Sequence, residues 1–120
     1  MNFEIIEIDA VRIAEVRTGE TVVRTVQDAI DLIANADYQG ARSVLIHAEQ
    51  LTPEFFDLRS GLAGEILQKC ANYRFKLAIV GDFSLYDSKA LQAFIIECNR
   101  GRHIYFVPNR ESAIAKINGS

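Results

Sequence analysis

The stretch FFDLRSGLAGEILQK, residues 55 to 69, combines phosphate-binding residue types with a helical pattern. Arg59 and Ser60 stand immediately before the glycines of SGLAG, close to the predicted start of a helix. A helix N-terminus carries unpaired N–H groups and about half a positive charge, so a phosphate on Ser60 would be stabilised there, and Arg59 could add a bidentate contact. The alternative is that Ser60 is an ordinary N-cap, worth ~1 kcal/mol. Both interpretations of Ser60 stay open. As a nucleotide-binding motif the stretch is weak, because neither Gly-x-x-x-x-Gly-Lys-Ser/Thr nor Gly-x-Gly-x-x-Gly is present.

The helix predicted from about Ser60 to about Tyr73 has two different faces. One face is an apolar stripe of Leu62, Ala63, Ile66, Leu67, Cys70 and Tyr73. The opposite face is small, flat and polar, and carries Gly61, Gly64, Glu65 and Gln68. Missing side chains let a partner backbone approach closely. We therefore expect this face, with Arg59, Ser60 and the rest of the 48–64 loop, to bind a protein partner, and we name it the contact surface.

A second set of polar residues follows the predicted strands. His47 comes after VLI, Asp82 after AIVG with Ser84 nearby, and Asn109 after YFV. Ligands of open α/β sheets gather beyond the carboxyl ends of the strands, so these four residues outline an alternative ligand pocket. A Ser-His-Asp set can be drawn with Ser60, but the chain has no Gly-x-Ser-x-Gly turn. We assign no catalytic residue and favour a non-enzymatic role.

The composition argues against several classes of function. The chain of 120 residues is 49% apolar and has a net charge of −3, values typical of one soluble globular domain over residues 1–120. An acidic chain offers no positive field for nucleic acid or an anionic membrane. Apolar runs such as LAIV are too short to span a membrane, and the N-terminus has no signal-peptide pattern. We expect a cytoplasmic protein that binds neither nucleic acid nor membranes.

Cys70 and Cys98 are the only cysteines, and neither belongs to a Cys-x-x-Cys pair. Both fall on the apolar faces of predicted helices, where a free cysteine packs as a small hydrophobe. Structural burial is favoured over redox or metal chemistry, and no metal or cofactor is predicted.

Basic residues cluster towards the C-terminus, where Arg100, Arg102 and His103 are followed by Arg110. Cations at the C-terminal end of a helix interact favourably with its dipole. We interpret the cluster as a solvated helix end rather than a phosphate site.

The order of elements predicts a mixed α/β sheet. Within the strand predicted at 11–17, Glu15 falls on the same face as Ile13. Strands are predicted at 3–9, 11–17, 43–47, 75–81 and 103–107, and helices at 26–36, 60–73, 87–100 and from 109 or 110 onward. Alternating strands and helices imply right-handed crossovers and a mostly parallel sheet of about five strands, with an antiparallel first pair. The predicted order is β-β-α-β-α-β-α-β-α.

Nearly the whole chain resembles one bacterial family. The resemblance is carried by FFDLRSGLAGEILQKCANYRFKLAIVGDFS and by LQAFIIECNRGRHIYFVP. Through these stretches the chain is identified as a member of the family named domain of unknown function 4180. This resemblance implies no activity.

The order of elements is also similar to that of STAS domains, the anti-sigma-factor antagonists and their relatives. Their switch loop reads Phe-x-Asp-Ser-Ser-Gly-Leu-Gly before a helix with Ile-Leu, and FFDLRSGLAGEIL resembles it with an offset of one residue. Alignment on Ser-Gly-Leu places Ser60 at the position that a partner kinase phosphorylates in that family. Alignment on Gly-x-Ile-Leu places Gly61 there, which removes the switch and keeps the surface. The resemblance implies partner binding through this loop and helix in the unphosphorylated state.

The leading hypothesis is a non-enzymatic, regulatory or protein-binding domain of STAS-like fold. The first alternative is a small-molecule-binding protein or enzyme that uses the strand-end residues. The second is a structural homodimer, to which Ile96, away from the apolar stripe of its helix, points.

Overall fold

The computed structural model describes residues 3–119, and these contain strands and helices in the predicted order. The elements are β1 (Phe3–Ile8), β2 (Val11–Val16), α1 (Val26–Tyr38), β3 (Ser43–His47), α2 (Leu62–Asn72), β4 (Lys76–Val80), α3 (Lys89–Arg100), β5 (Ile104–Val107) and α4 (Arg110–Gly119). Short 3-10 turns occur at Ala48–Gln50, Pro53–Phe56, Leu58–Ser60 and Phe83–Leu85. The predicted mixed α/β architecture is confirmed.

The strands form one sheet in the order β1-β2-β3-β4-β5. β1 and β2 are antiparallel and are joined by Asp9 and Ala10, whose φ angles of 52° and 66° suit a two-residue hairpin turn. The pairs β2–β3, β3–β4 and β4–β5 are parallel. The carboxyl ends of four neighbouring strands therefore meet at one end of the sheet.

The order of the strands decides where the helices lie. Each right-handed crossover advances by one strand in the same direction, so α1, α2 and α3 share one face. They cover a core that includes Val44, Ile46, Leu77, Ile79 and Phe106. Within residues 3–119, α4 covers the opposite face, where Ala113 and Ile117 pack against Leu45, Ala78 and Tyr105. Both faces of the parallel strands are thus buried.

Side-chain caps determine where α1 and α3 begin. The backbone nitrogen of Asp28 donates to Thr25 Oγ1 at 3.1 Å, and that of Thr25 donates to Asp28 Oδ2 at 3.2 Å, which completes a capping box. Ser88 Oγ accepts from the backbone nitrogen of Leu91 at 3.1 Å, so α3 begins at Lys89 rather than at the predicted residue 87.

Asn99 protects the outer edge of β5. Its Oδ1 accepts from the backbone nitrogen of Phe106 at 2.8 Å, and its Nδ2 donates to the Phe106 carbonyl at 3.1 Å. A further strand would need these two backbone groups to extend the sheet. A side chain of α3 therefore occupies a place where another chain could otherwise pair.

Both cysteines are free and buried in the core between the sheet, α2 and α3, as the sequence predicts. Burial raises the pKa of the Cys70 thiol from 9.0 to about 12, with a smaller contribution from Cys98. Burial likewise raises the pKa of the Cys98 thiol from 9.0 to about 11, with a smaller contribution from Glu97. Both thiols are protonated at neutral pH and are weak nucleophiles.

Alkaline pH should destabilise the domain through Cys70. A thiol of the unfolded chain ionises near pH ~8.5, whereas folded Cys70 keeps its proton to about pH 12. The stability that the buried thiol contributes is therefore complete below pH ~8.5 and is lost as pH rises towards the folded pKa. Between pH ~8.5 and ~10, the free energy of unfolding in urea should fall by about 2 kcal/mol more in wild type than in Cys70→Ala. Equal losses in the two proteins would contradict this account of Cys70.

Candidate functional site

The connection between β3 and α2, residues 48–61, is anchored at its start by the buried Gln50. The side-chain nitrogen of Gln50 donates to the carbonyls of Val16 and Thr18 at 3.2 and 2.8 Å. Its Oε1 accepts from the backbone nitrogen of His47 at 2.8 Å. One amide thus ties the start of the loop to the ends of β2 and β3.

Aromatic burial anchors the middle of the same connection. Pro53 occupies the first position of the turn Pro53–Phe56, where a missing N–H costs nothing. Phe55 and Phe56 are buried, with ring centroids 5.2 Å apart in an edge-to-face arrangement. Phe56 also stacks on Tyr86 at 4.9 Å, which joins this loop to the one that follows β4. The connection is therefore packed against the core on its inner side, and its outer side remains exposed.

Ser60 is exposed and sits one residue before the backbone N-cap of α2. Its hydroxyl donates to the carbonyl of Glu54 at 2.8 Å and accepts from the backbone nitrogen of Leu62 at 3.2 Å. The N-cap position belongs to Gly61, whose φ of 79° lies outside the right-handed helical range. For this reason α2 begins at Leu62 rather than near Ser60, and Ser60 satisfies one N–H group of its first turn from outside the helix.

Arg59 is directed to an acidic neighbour. Its side chain is 93% exposed, and its Nε donates to Asp57 Oδ1 at 3.2 Å. The same carboxylate oxygen accepts from the backbone nitrogen of Arg59 at 3.2 Å. The guanidinium that the sequence places beside Ser60 is therefore paired with Asp57 in this structure.

The outward side of α2 carries the residues that the sequence assigns to it. Gly64, Glu65 and Gln68 are exposed, and Gly61 is half-buried. A Cβ at Gly64 would have no neighbouring atom within 4 Å in the described part of the chain. By contrast, the positive φ of Gly61 disfavours any other residue. The fold therefore requires glycine at position 61 and not at position 64.

The four strand-end residues lie in separate arrangements. His47 Nε2 is 3.7 Å from Glu15 Oε2 on the side of the sheet covered by α4. Asp82 Oδ1 accepts from Ser84 Oγ at 2.6 Å and from its backbone nitrogen at 3.2 Å. The structure thus brings Asp82 and Ser84 together and places His47 with an acidic residue on another strand.

Asn109 serves as a cap at the start of α4. Its Oδ1 accepts from the backbone nitrogen of Ser112 at 2.8 Å. This bond satisfies one of the free N–H groups in the first turn of the helix. The side-chain oxygen is therefore already engaged within the fold.

Glu15 forms a charged cluster that sequence reasoning missed. Its side chain is 2% exposed, and both carboxylate oxygens accept from Arg110 Nε, at 3.0 and 3.2 Å. Arg17 Nη1 and His47 Nε2 each approach the carboxylate to 3.7 Å. Arg110 thereby ties the first residue of α4 to β2, away from the basic residues at 100–103 with which it was grouped.

A usable signal for this cluster was present in β2. Strand alternation places Glu15 on the same face as the apolar Ile13, and a carboxylate that is buried there needs a partner. The partner could not be identified, because Arg110 is 95 residues away along the chain.

Arg110→Met should destabilise the protein, because it leaves Glu15 buried without its closest cation. We expect the free energy of unfolding at pH 7 to fall by about 2 kcal/mol, the scale of an unsatisfied buried polar group. The double variant Glu15→Gln/Arg110→Met should recover part of this loss, since a neutral amide is less costly to bury than a carboxylate. Urea denaturation of the three proteins measures both effects. Unchanged stability in Arg110→Met would contradict a structural role for the pair.

Residues 3–119 contain neither a cluster of metal ligands nor a membrane-spanning helix. No three side chains among His, Cys, Asp and Glu come close enough together to hold a metal ion. Within the same residues, every helix is too short or too polar to cross a membrane.

Comparison with known protein families matches residues 8–117 to the family described as Domain of unknown function (DUF4180). No curated protein and no solved structure matches the chain. The matched segment spans most of the 120 residues and includes the loop 48–61, all of α2 and the Glu15–Arg110 pair. The chain therefore belongs to the DUF4180 family.

Proposed function

We propose that this protein is a regulatory, protein-binding domain of STAS-like organisation. Its partner contacts the surface formed by residues 48–64 and the outward side of α2. The surface residues are Arg59, Ser60, Gly61, Gly64, Glu65 and Gln68.

The observation that carries the proposal is Gly64. A glycine within a helix costs roughly 0.5–1 kcal/mol relative to alanine. Gly64 lies in the first turn of α2, and an added Cβ would meet no atom within 4 Å in the described chain. The domain itself thus has no packing reason for this glycine. A partner backbone that approaches α2 closely supplies one.

The connection 48–61 supports the proposal because its inner side is packed and bonded. Gln50 and Phe55 are both buried, and the Ser60 hydroxyl bridges Glu54 to Leu62. A preformed surface loses little conformational entropy on binding, which favours its use in recognition. The order of elements is also the one that the resemblance to STAS domains implies.

Ser60 is the proposed point of regulation. A phosphate there could no longer donate the bond to the Glu54 carbonyl, and it would add about two negative charges to the turn that contains the Asp57 carboxylate. Repulsion between the phosphate and the nearby carboxylate would oppose the attraction of the phosphate to the free N–H groups at the start of α2. Phosphorylation would therefore rearrange the turn Leu58–Ser60, and we propose that it releases the partner.

Gly64→Leu should abolish partner binding while keeping the domain folded. A leucine at this position adds a side chain on the proposed surface, and urea denaturation should show a stability equal to wild type or higher by about 0.5 kcal/mol. Tagged proteins purified from the native host and compared by quantitative mass spectrometry should show at least one partner depleted about tenfold or more, equivalent to ~1.4 kcal/mol.

Ala115→Leu provides the matched control for this experiment. Ala115 is exposed on α4, on the opposite face of the sheet, and also gains a large side chain. Partner recovery should equal that of wild type. Equal recovery with Gly64→Leu and Ala115→Leu would refute the assignment of the surface.

Ser60→Asp should weaken recovery of the same partner, whereas Ser60→Ala should retain it. The aspartate adds negative charge to the turn that contains the Asp57 carboxylate, and alanine removes the hydroxyl without adding charge. Phosphopeptide mass spectrometry of the wild-type protein from its host checks the modification directly. Absence of phosphate on Ser60, together with equal recovery of the partner by both variants, would refute the proposed switch at Ser60 but not the proposed contact surface.

A further inference from the structure

A groove of about 550 Å³ lies at the carboxyl end of the sheet, between the connections that follow β3 and β4. Its apolar lining consists of Ala48, Leu51, Pro53, Phe56, Leu85 and Tyr86. Gly81 makes the junction of the two connections possible, since a Cβ there would lie 2.8 Å from the Cβ of Ala48. The groove is therefore shaped by close packing between two segments that are distant in sequence.

Leu85 is presented at the rim of this groove by a well-bonded turn. Leu85 is 79% exposed and adjoins the other apolar residues of the groove. The Nε2 of Gln92 on α3 donates to the carbonyls of Phe83 and Tyr86, at 2.8 and 3.2 Å, and so holds the turn from both sides. Asp82 adds a bond from the backbone of Ser84 at 3.2 Å. Leu85 is therefore exposed on a turn whose backbone is held by hydrogen bonds.

One wall of the groove is an aromatic stack. Phe56 and Tyr86 stack with ring centroids 4.9 Å apart and an interplanar angle of 21°. Burial raises the pKa of Tyr86. A ligand in the groove would therefore meet a flat aromatic surface.

The charge of the groove selects between possible occupants. The charged side chains that line it are Glu49 and Asp82, and both are exposed carboxylates. Among residues 3–119, no lysine or arginine belongs to the lining. An acidic segment would be repelled here, and a basic one would be attracted.

We propose that this groove binds a segment of a partner protein in which Lys or Arg stands next to Leu or Phe. The apolar side chain packs against Leu85 and the Phe56–Tyr86 stack, and the basic side chain lies near Glu49 and Asp82. The inference rests on the proposed function, because residues 48–56 belong to the contact surface. It adds the chemistry of the partner to the position of the surface.

Three synthetic peptides test the proposal on the purified chain of 120 residues. They are Gly-Ser-Lys-Leu-Lys-Phe-Lys-Ser-Gly and its analogues with Ser or Glu in place of every Lys. Amide chemical shifts in NMR spectra locate each peptide, and titration gives its affinity. The lysine peptide should shift amides of residues 48–56 and 81–86 and bind at least tenfold more tightly than the glutamate peptide. Its affinity should fall as salt is added, because exposed charges are screened.

Three exposed positions provide variants that keep the core intact. Leu85→Ser should reduce affinity for the lysine peptide at least tenfold, whereas Ile96→Ser, which alters an aliphatic side chain 53% exposed on α3, should leave it unchanged. Glu49→Lys should weaken the lysine peptide and strengthen the glutamate peptide.

The outcomes separate this inference from the proposed function. Equal binding of the three peptides, binding of none, or shifts confined to other parts of the protein would overturn the groove proposal. If Gly64→Leu still depletes a partner in that case, the contact surface stands and only the occupant of the groove is wrong.

Discussion

The parallel strands are apolar on both faces, and the rest of the structure depends on covering both. Because the strand order advances in one direction, right-handed crossovers place α1, α2 and α3 together on one face. The other face relies on α4, which is the last element of the chain. The ion pair between Glu15 and Arg110 joins the first residue of that helix to β2. A carboxylate that is 2% exposed gains this contact only when α4 is docked, so the pair favours one position of the helix.

This arrangement divides the carboxyl end of the sheet into two regions of different chemistry. His47 ends β3 with its side chain towards α4 and Glu15. Ala48 then begins the connection that borders the groove, on the side of the sheet covered by α1, α2 and α3. Successive residues of a strand point to opposite faces, which separates the His47 side chain from that of Ala48. A charged cluster therefore lies beneath α4, and an apolar groove with acidic sides lies opposite.

The glycines near the contact surface differ in whether the fold itself requires a glycine at that position. Gly61 adopts a left-handed φ of 79°, and Gly81 lets the connections after β3 and β4 meet. Both are explained by contacts and conformation inside the domain. Gly64 has neither reason, and it lies on the same exposed side of α2 as Glu65 and Gln68. This difference is a physical argument for recognition that does not depend on resemblance to another family.

Local patterns in the sequence determined the order of the elements, the mixed sheet, the burial of both cysteines and the exposed side of α2, because each depends on residues a few positions apart. Alternation also placed Glu15 on the same face of its strand as Ile13. The tertiary structure alone decided that Arg110 is its partner, that His47 and Asp82 separate, and that Leu85 stands beside a groove. These arrangements join residues that are far apart in the chain. They form only when the sheet brings its strand ends together, and the periodicity of a short segment carries no information about such contacts.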